Sequence, residues 1–294
     1  MRTRPSAPLL ALLGVTAVWG STFVVVKGAI DQMPVTDFLT WRFGLATLAM
    51  LVLRPRAPTT LSPAGRRAGL LLGLALGGGY LLQTLGLQTT PAAVSGFLTG
   101  LFVVLTPLGA AVLLRRPPGA LAWAAVALAT VGLALLSLRG WSVGGGELLT
   151  VGCAAAFALH IVGLGQWAGS HDAYGLAVVQ LLTTTVLCGA VALPGGLALP
   201  PDASVWWALA LTSLAATAVA FVVQTWAQAH LPPTRAAVVM TMEPVFGLGF
   251  AVLVAGEVLG ARTLAGAVLV LAAMVLTEVG PRRGAEGEHE RLEV

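Results

Sequence analysis

The sequence predicts an all-α integral membrane protein with ten transmembrane helices, arranged as two inverted five-helix repeats. Of its 294 residues, 57% are hydrophobic and only 10% are charged, whereas soluble domains carry about 25% charged residues. The apolar runs recur at about 20 residues, the length of helix that crosses a bilayer. The two halves of the chain also share a weak internal similarity.

Short segments rich in Pro, Gly and Arg separate the apolar runs, as at 115–118 and 144–146, and such segments are typical of turns. We expect spans at residues 8–28, 35–53, 68–88, 91–114, 119–138, 147–168, 173–194, 204–229, 232–256 and 260–280. Residues 1–140 would form the first repeat with spans one to five, and residues 141–280 the second with spans six to ten. Residues 281–294 would form a polar cytoplasmic tail.

The basic residues predict the orientation, because cytoplasmic loops of membrane proteins carry an excess of Lys and Arg. With a cytoplasmic N-terminus, twelve of the sixteen Lys and Arg residues fall in cytoplasmic segments. We therefore expect a multi-pass protein of the inner (plasma) membrane with both termini in the cytoplasm.

The internal similarity aligns YLLQTLGLQTTP, from Tyr80, with FVVQTWAQAHLP, from Phe221, at an offset of 141 residues. Five spans per half is an odd number, so the second half must be inverted relative to the first. Inverted repeats are common in secondary transporters, whose binding site lies near the midplane between the repeats.

Several segments resemble a known family when they are taken together. They are AVWGSTFVVVKG around Trp19, Arg42 in the second span, TMEPVFGLGFAVLVAGE in the ninth and a glycine-rich last span after Gly260. This pattern resembles the EamA-like transporters of the drug/metabolite transporter superfamily, and is similar to bacterial exporters of amino acids and other metabolites. The resemblance covers residues 8–280. It implies ten helices, transport of small metabolites, often outward, and a transport path lined by the first helix of each repeat.

Glu243 and Pro244 stand in the middle of the ninth span. At about 1.5 Å per residue, Glu243 lies about 15 Å deep, where a charge is costly unless it faces a cavity or a partner. Proline cannot donate a backbone hydrogen bond, so we expect the helix to kink or open at this point. Glu243 is therefore predicted to border a central cavity, with a purely structural pairing as the alternative.

Arg42, in the second span, always carries a positive charge and needs a partner at that depth. It is predicted to recognise a substrate carboxylate or phosphate. The alternatives are a fixed salt bridge with Asp37 or Glu243, or a side chain that reaches out to the membrane interface.

Other polar and aromatic side chains within the spans complete the predicted site. His160 is either a hydrogen-bonded core residue or part of a proton path, and it aligns with Thr22 in the first helix at an offset of 138. Trp and Tyr rings can form flat walls, and uncharged Gln side chains can orient a solute or bridge helices. The predicted substrate-binding residues are Trp19, Thr22, Arg42, Tyr80, Gln83, His160, Gln180, Gln224, Trp226 and Glu243.

The sequence contains no HExxH, GxSxG, Walker or Cys/His metal-binding motif. We therefore expect no enzyme activity, cofactor or metal, and interpret Cys153 and Cys188 as packing residues. The basic residues are scattered between apolar runs, which argues against nucleic acid as a partner.

The predicted function is a secondary transporter that exports small metabolites such as amino acids by alternating access. Its partners would be that small molecule and membrane lipid, and coupling to protons is left open. The alternatives are an intramembrane enzyme acting on a lipid-like substrate, with His160 and Glu243 as its nucleus, or a facilitative channel. The substrate, the direction of transport and the oligomeric state stay open.

Overall fold

The computed structural model describes residues 7–90, 92–115, 117–137, 144–255 and 260–279, and none of them is in a β-strand. The predicted tail and the boundary at 140 between the repeats lie outside these residues. The helices are α1 (Ala7–Ile30), α2 (Val35–Leu53), α3 (Ala57–Thr60), α4 (Pro63–Leu87), α5 (Ala92–Gly100), α6 (Phe102–Leu113), α7 (Ala120–Ser137), α8 (Gly145–Trp167), α9 (Ala173–Ala192), α10 (Ala203–Ser213), α11 (Ala220–Gln228), α12 (Pro233–Met240), α13 (Glu243–Ala255) and α14 (Ala261–Val279).

Within the described residues, six helical segments are long and apolar enough to cross a membrane. They are Val35–Leu53, Pro63–Gly86, Ser95–Leu113, Gly145–Ser170, Ala173–Gly195 and Ala203–Gln228, and three shorter apolar helices cover Ala7–Thr22, Ala120–Leu135 and Ala261–Leu276. Large apolar side chains are also exposed on the outside, including Leu53 at 77%, Val112 at 77% and Leu253 at 83%. Water would disfavour such a surface and lipid would not, so the fold is that of an integral membrane protein.

Three of the predicted spans are interrupted. The fourth breaks at Leu101 between α5 and α6, and the ninth breaks at Thr241 and Met242 between α12 and α13. In the eighth, a π-helical segment, Leu214–Val219, joins α10 to α11. The break next to Glu243 and Pro244 confirms the prediction that the helix opens there, and the sequence had not indicated the other two.

Helix α4 lies against α8 and α9, and glycine allows this close approach. A Cβ atom added to Gly73 would lie 2.5 Å from the Gln180 carbonyl oxygen in α9, and one added to Gly86 would lie 2.5 Å from Thr150 Oγ1 in α8. Small residues that let backbones approach closely are a usual basis of helix packing in membranes.

Helices α2 and α9 are joined near both of their ends. At one end Arg54 lies 3.8 Å from the carboxylate of Asp172, and the Tyr174 hydroxyl donates to the Met50 carbonyl at 2.8 Å. At the other end the carboxylate of Asp37 accepts the backbone N–H of Ala198, in the segment after α9, at 2.9 Å. These contacts hold α2 and α9 together at both ends, and we call this pair of helices the seam.

Candidate functional site

The π-helical segment Leu214–Val219 is the point where α1 and α2 meet the eighth predicted span. The carbonyl oxygen of Ala216 accepts a hydrogen bond from Trp19 Nε1 at 2.8 Å and one from Arg42 Nη2 at 3.3 Å. Thr217 Oγ1 accepts a third from Arg42 Nε at 2.8 Å. Single π turns are frequent at functional sites, and this one holds both an indole and a guanidinium.

Arg42 is buried, with 7% of its surface exposed, yet neither of the proposed salt bridges is formed. Asp37 binds the backbone of Ala198 instead, and Arg42 makes no ion pair with Glu243 within the described residues. The guanidinium carbon lies 5.7 Å from the ring centre of Phe43 and 5.8 Å from that of Tyr80, within cation–π range. The hydrogen bonds above use two of its five N–H groups, so donors remain for a ligand.

Glu243 is the first residue of α13 and is only partly buried. Its carboxylate accepts no hydrogen bond from any residue that the structure describes. It interacts electrostatically with Arg42 and with Tyr80. Helix α1 fixes its backbone, because a Cβ atom on Gly20 would lie 2.7 Å from the Glu243 carbonyl oxygen.

Aromatic rings surround this pair of charges. Tyr80 packs edge to face against Phe43 and Phe157, with ring centres 5.0 Å and 5.4 Å away. Trp19 packs against Phe221 at 5.8 Å. Edge-to-face packing is a favoured arrangement of aromatic pairs, so these rings form ordered walls.

A buried polar chain adjoins the aromatic walls. His160 Nε2 donates to Gln180 Oε1 at 2.7 Å, and Gln180 Nε2 donates to Thr225 Oγ1 at 3.0 Å. All three residues are at most 2% exposed. The ring of Phe221, which packs against Trp19, also lies 6.2 Å from that of His160. This arrangement fits the alternative of a hydrogen-bonded core histidine.

Gln224 lies one helical turn from Phe221 and belongs to a second buried polar group. Its side-chain nitrogen donates to Gln228 Oε1 at 3.0 Å, and Gln228 donates to the Ile161 carbonyl at 3.0 Å. The Oε1 atom of Gln224 is buried and has no protein partner, so it is an available acceptor at the edge of the site.

The remaining predicted residues make other contacts. Thr22 bonds to the Trp19 carbonyl of its own helix at 2.9 Å, and Gln83 donates to Thr99 at 3.1 Å. Trp226, in α11, is 39% exposed and lies beside His230. The structure thus joins Trp19, Arg42, Tyr80 and Glu243 in one group.

Sequence reasoning missed Ala216 and Thr217, although they hold Arg42 and Trp19. Ala216 contributes only its carbonyl group, and an alanine gives no signal for that role. Thr217 is one of many threonines in apolar spans, so its contact with Arg42, 175 residues away, has no local signature. Phe43 and Phe157 were hidden in the same way among ordinary apolar residues.

The free and buried cysteines, Cys153 and Cys188, agree with their interpretation as packing residues. The described residues contain no group of three or more His, Cys, Asp or Glu side chains that could hold a metal ion. Of the two residues named for the enzymatic alternative, His160 is bonded to Gln180 and Glu243 interacts electrostatically with Arg42.

Two stretches of the chain, residues 6–138 and 144–279, each match the EamA-like transporter family. The chain belongs to the EamA-like transporter family. A relative from Archaeoglobus fulgidus, described as an uncharacterized transporter, is 31% identical over 271 residues, which is 92% of this chain and 85% of that protein. This EamA chain is therefore a membrane transporter.

The fold of this EamA protein is also found in a known crystal structure. That structure aligns with a TM-score of 0.80 over 94% of this chain and 99% of the other, with 16% of residues identical. At that identity the likeness concerns the fold alone. Members of the EamA-like family are transporters, and this membership is consistent with a chain that is not an enzyme.

Proposed function

We propose that the chain is a secondary transporter whose ten membrane helices form two inverted repeats, residues 1–140 and 141–280, around a central site. The family matches the chain twice, once in each half. The helix break at Leu101 and the break that includes Met242 are also separated by 141 residues, the offset of the sequence similarity. Pro244 lies next to the second break, but the matching position after the first break is not a proline. Proline therefore does not account for both breaks, which favours a shared architecture of the two halves as their cause.

Contacts between helix ends favour the predicted topology. Arg54 and Asp172, which pair at 3.8 Å, both belong to predicted cytoplasmic segments. Asp37, near the outer end of the second predicted span, bonds at 2.9 Å to Ala198, in a connection predicted on the opposite side. Each contact therefore joins residues that the ten-span arrangement places on one membrane face, with both termini in the cytoplasm.

The observation that carries the proposal is the charge of Arg42, which forms no ion pair within the described residues, together with its electrostatic interaction with Glu243. A small molecule with a carboxylate and an ammonium group, such as an amino acid, offers the complementary charges. Trp19 and Tyr80 would form walls for its apolar part, with Gln224 and its free acceptor at the edge. Movement of one repeat against the other would expose this site to each side in turn, and we propose export as the direction.

The experiment is uptake of pooled radiolabelled amino acids into proteoliposomes, with and without an imposed pH gradient. Wild type is compared with Glu243→Gln and with a control, Asp31→Asn, which removes an exposed carboxylate from the connection between α1 and α2. We expect saturable uptake of one class by wild type and by the control, and uptake reduced at least about tenfold in Glu243→Gln, equivalent to about 1.4 kcal/mol.

The outcomes separate the alternatives. Acceleration by the gradient that Glu243→Gln abolishes would give Glu243 a role in proton coupling. Saturable uptake that changes neither with the pH gradient nor with Glu243→Gln would support a carrier in which Glu243 has a structural role. Flux without saturation would favour the channel, and turnover of a lipid-like substrate by purified protein would favour the enzyme.

A further inference from the structure

A pocket lined by none of the Arg42–Glu243 site residues opens between the start of α4 and the end of α8. It has a volume of about 500 Å³ and is lined by Pro63, Ala64, Arg67, Ala68, Leu71 and Trp167. Its floor is a small apolar core that includes Ala68, Leu72 and Leu164. No acidic side chain lines it, so the charge at its wall is positive.

Arg67 supplies this charge without a protein partner. It is exposed and makes no hydrogen bond or ion pair with any residue in the described part of the chain. The neighbouring Arg66 differs, because its Nη1 atom donates to the Leu61 carbonyl at 3.1 Å. A guanidinium that lines a pocket and has all its donors free is suited to bidentate binding of a phosphate.

Trp167 adds a second free donor to the wall. The Cζ3 and Cε3 atoms of its ring lie against Gly163, within 3.1 Å and 3.4 Å of where a Cβ atom would be. The indole N–H is on the opposite edge of the ring and therefore points away from Gly163. No described residue accepts a hydrogen bond from it. The N-terminal end of α4, where Pro63 and Ala64 lie, is also electropositive because of the helix dipole.

The pocket lies at the level where α4 enters the membrane. The apolar span of α4 is Pro63–Gly86, so Arg67 is in its first turns. Further along the same helix, Leu70, Leu71 and Leu74 are 50%, 43% and 50% exposed. The free donors of Arg67 and Trp167 lie at the membrane boundary, and exposed leucines follow towards the membrane interior. This order matches the phosphate and the acyl chain of a phospholipid.

We propose that this pocket binds an anionic phospholipid, with its phosphate at Arg67 and Trp167 and an acyl chain along Leu71 and Leu74. The exposed leucines favour a lipid as the ligand, because a soluble phosphate ester has no acyl chain to cover them. The bound lipid would bridge α4 and α8 at their membrane boundary. This inference requires only that the chain spans a membrane, and it is independent of the transported molecule.

The test is native mass spectrometry of the purified full chain with phosphatidylglycerol or phosphatidylcholine carrying the same acyl chains. Wild type is compared with Arg67→Gln, Trp167→Phe and the matched control Arg66→Gln. We expect wild type to prefer phosphatidylglycerol. Arg67→Gln should weaken that lipid about fivefold, as expected for one basic residue near the membrane surface. Phosphatidylcholine should weaken less, because its trimethylammonium group offsets the charge of its phosphate. Arg66→Gln should retain the preference, because a backbone carbonyl already engages that guanidinium.

Three results would overturn the proposal. They are equal affinity of wild type for the two lipids, equal losses in Arg67→Gln and Arg66→Gln, and displacement of the lipid by glycerol 3-phosphate at matched concentration. Trp167→Phe keeps the ring and removes the donor, so it should weaken phosphatidylglycerol by a smaller factor. It provides a second readout that does not depend on the folding of Arg67→Gln.

Discussion

Thr217 holds the guanidinium of Arg42 through a side-chain hydrogen bond of 2.8 Å. Both residues are buried, and the Arg42 charge has no carboxylate bonded to it. Polar contacts between membrane helices average about 0.6 kcal/mol, but hydrogen bonds to charged groups contribute about 1.5–3 kcal/mol. Thr217 supplies the shorter of the two hydrogen bonds that hold Arg42, the other being to the Ala216 carbonyl at 3.3 Å, so we expect its hydroxyl group to contribute strongly to the position of Arg42 and of the proposed site.

Replacing Thr217 by valine tests this dependence. Thr217→Val keeps the shape of the side chain and is expected to lower the free energy of unfolding by about 1.5–3 kcal/mol, measured by SDS titration. The control is Thr212→Val in α10, where a threonine of equal burial donates to its own helix at the Ala208 carbonyl, 2.7 Å away. The control should lose under about 1 kcal/mol. Equal losses would show that Arg42 does not depend on Thr217.

Gln180 offers a second test, since its amide bonds to both His160 and Thr225. Gln180→Met removes the partner of His160 Nε2, whereas the Thr225 hydroxyl keeps its hydrogen bond to the Phe221 carbonyl at 2.6 Å. Unfolding should therefore require about 1–3 kcal/mol less. Adding His160→Phe should then cost less than it does in wild type. Strictly additive losses in the double variant would contradict a direct contact.

The residue-level predictions succeeded where the cause was local. The depth of Glu243 and the proline beside it were sufficient to predict a break in the helix. Arg42 was singled out correctly as unusual, but its partners were not, because they lie 174 and 175 residues away in a π turn that no residue pattern indicated. Trp226, which is 39% exposed, illustrates what depth leaves open, because depth alone does not tell which face of a helix points outward.

At the scale of elements, α1 and α13 pack backbone to backbone at Gly20. A Cβ atom there would lie 2.7 Å from the Glu243 carbonyl oxygen and 2.8 Å from the Gly247 nitrogen, and neither backbone atom can move without moving α13. This contact positions the carboxylate-bearing end of α13 beside Trp19.

Gly20→Ala is expected to push the two helices apart. Such overpacking costs about 1–3 kcal/mol, which should appear as a lower midpoint in thermal unfolding and as weaker transport. Gly14→Ala in the same helix is the control, because a Cβ atom at Gly14 meets nothing within 4 Å. If both variants unfold at the wild-type temperature, the close approach of α1 and α13 is not present in the folded protein.

The helices themselves were largely predictable, because runs of about 20 apolar residues have few other uses. Their ends were less so. Helix α4 begins at Pro63, five residues before the predicted span, because Ser62 caps it by accepting the Gly65 N–H at 3.1 Å. The connection at 54–67 also contains α3, Ala57–Thr60. Capping side chains determine such ends, and hydropathy does not register them.

At the scale of the whole molecule, the predicted topology places Arg56 and Pro201 on opposite sides of the membrane. Both are exposed, whereas the native Cys153 and Cys188 are fully buried and should not react. We expect a membrane-impermeant maleimide to label Pro201→Cys on intact cells and Arg56→Cys only after the cells are opened. Labelling of Arg56→Cys on intact cells would reverse the orientation.

The seam between α2 and α9 has a consequence for how the protein is assembled. It joins the two halves at both ends, through Arg54 with Asp172 and Asp37 with Ala198, and neither contact needs the peptide link between the halves. Two separate polypeptides, 1–143 and 144–294, should therefore find each other when they are produced in one cell and should copurify from a tag on either one. In that case the two halves associate without the covalent connection, and its role is to ensure that they are produced in equal amounts.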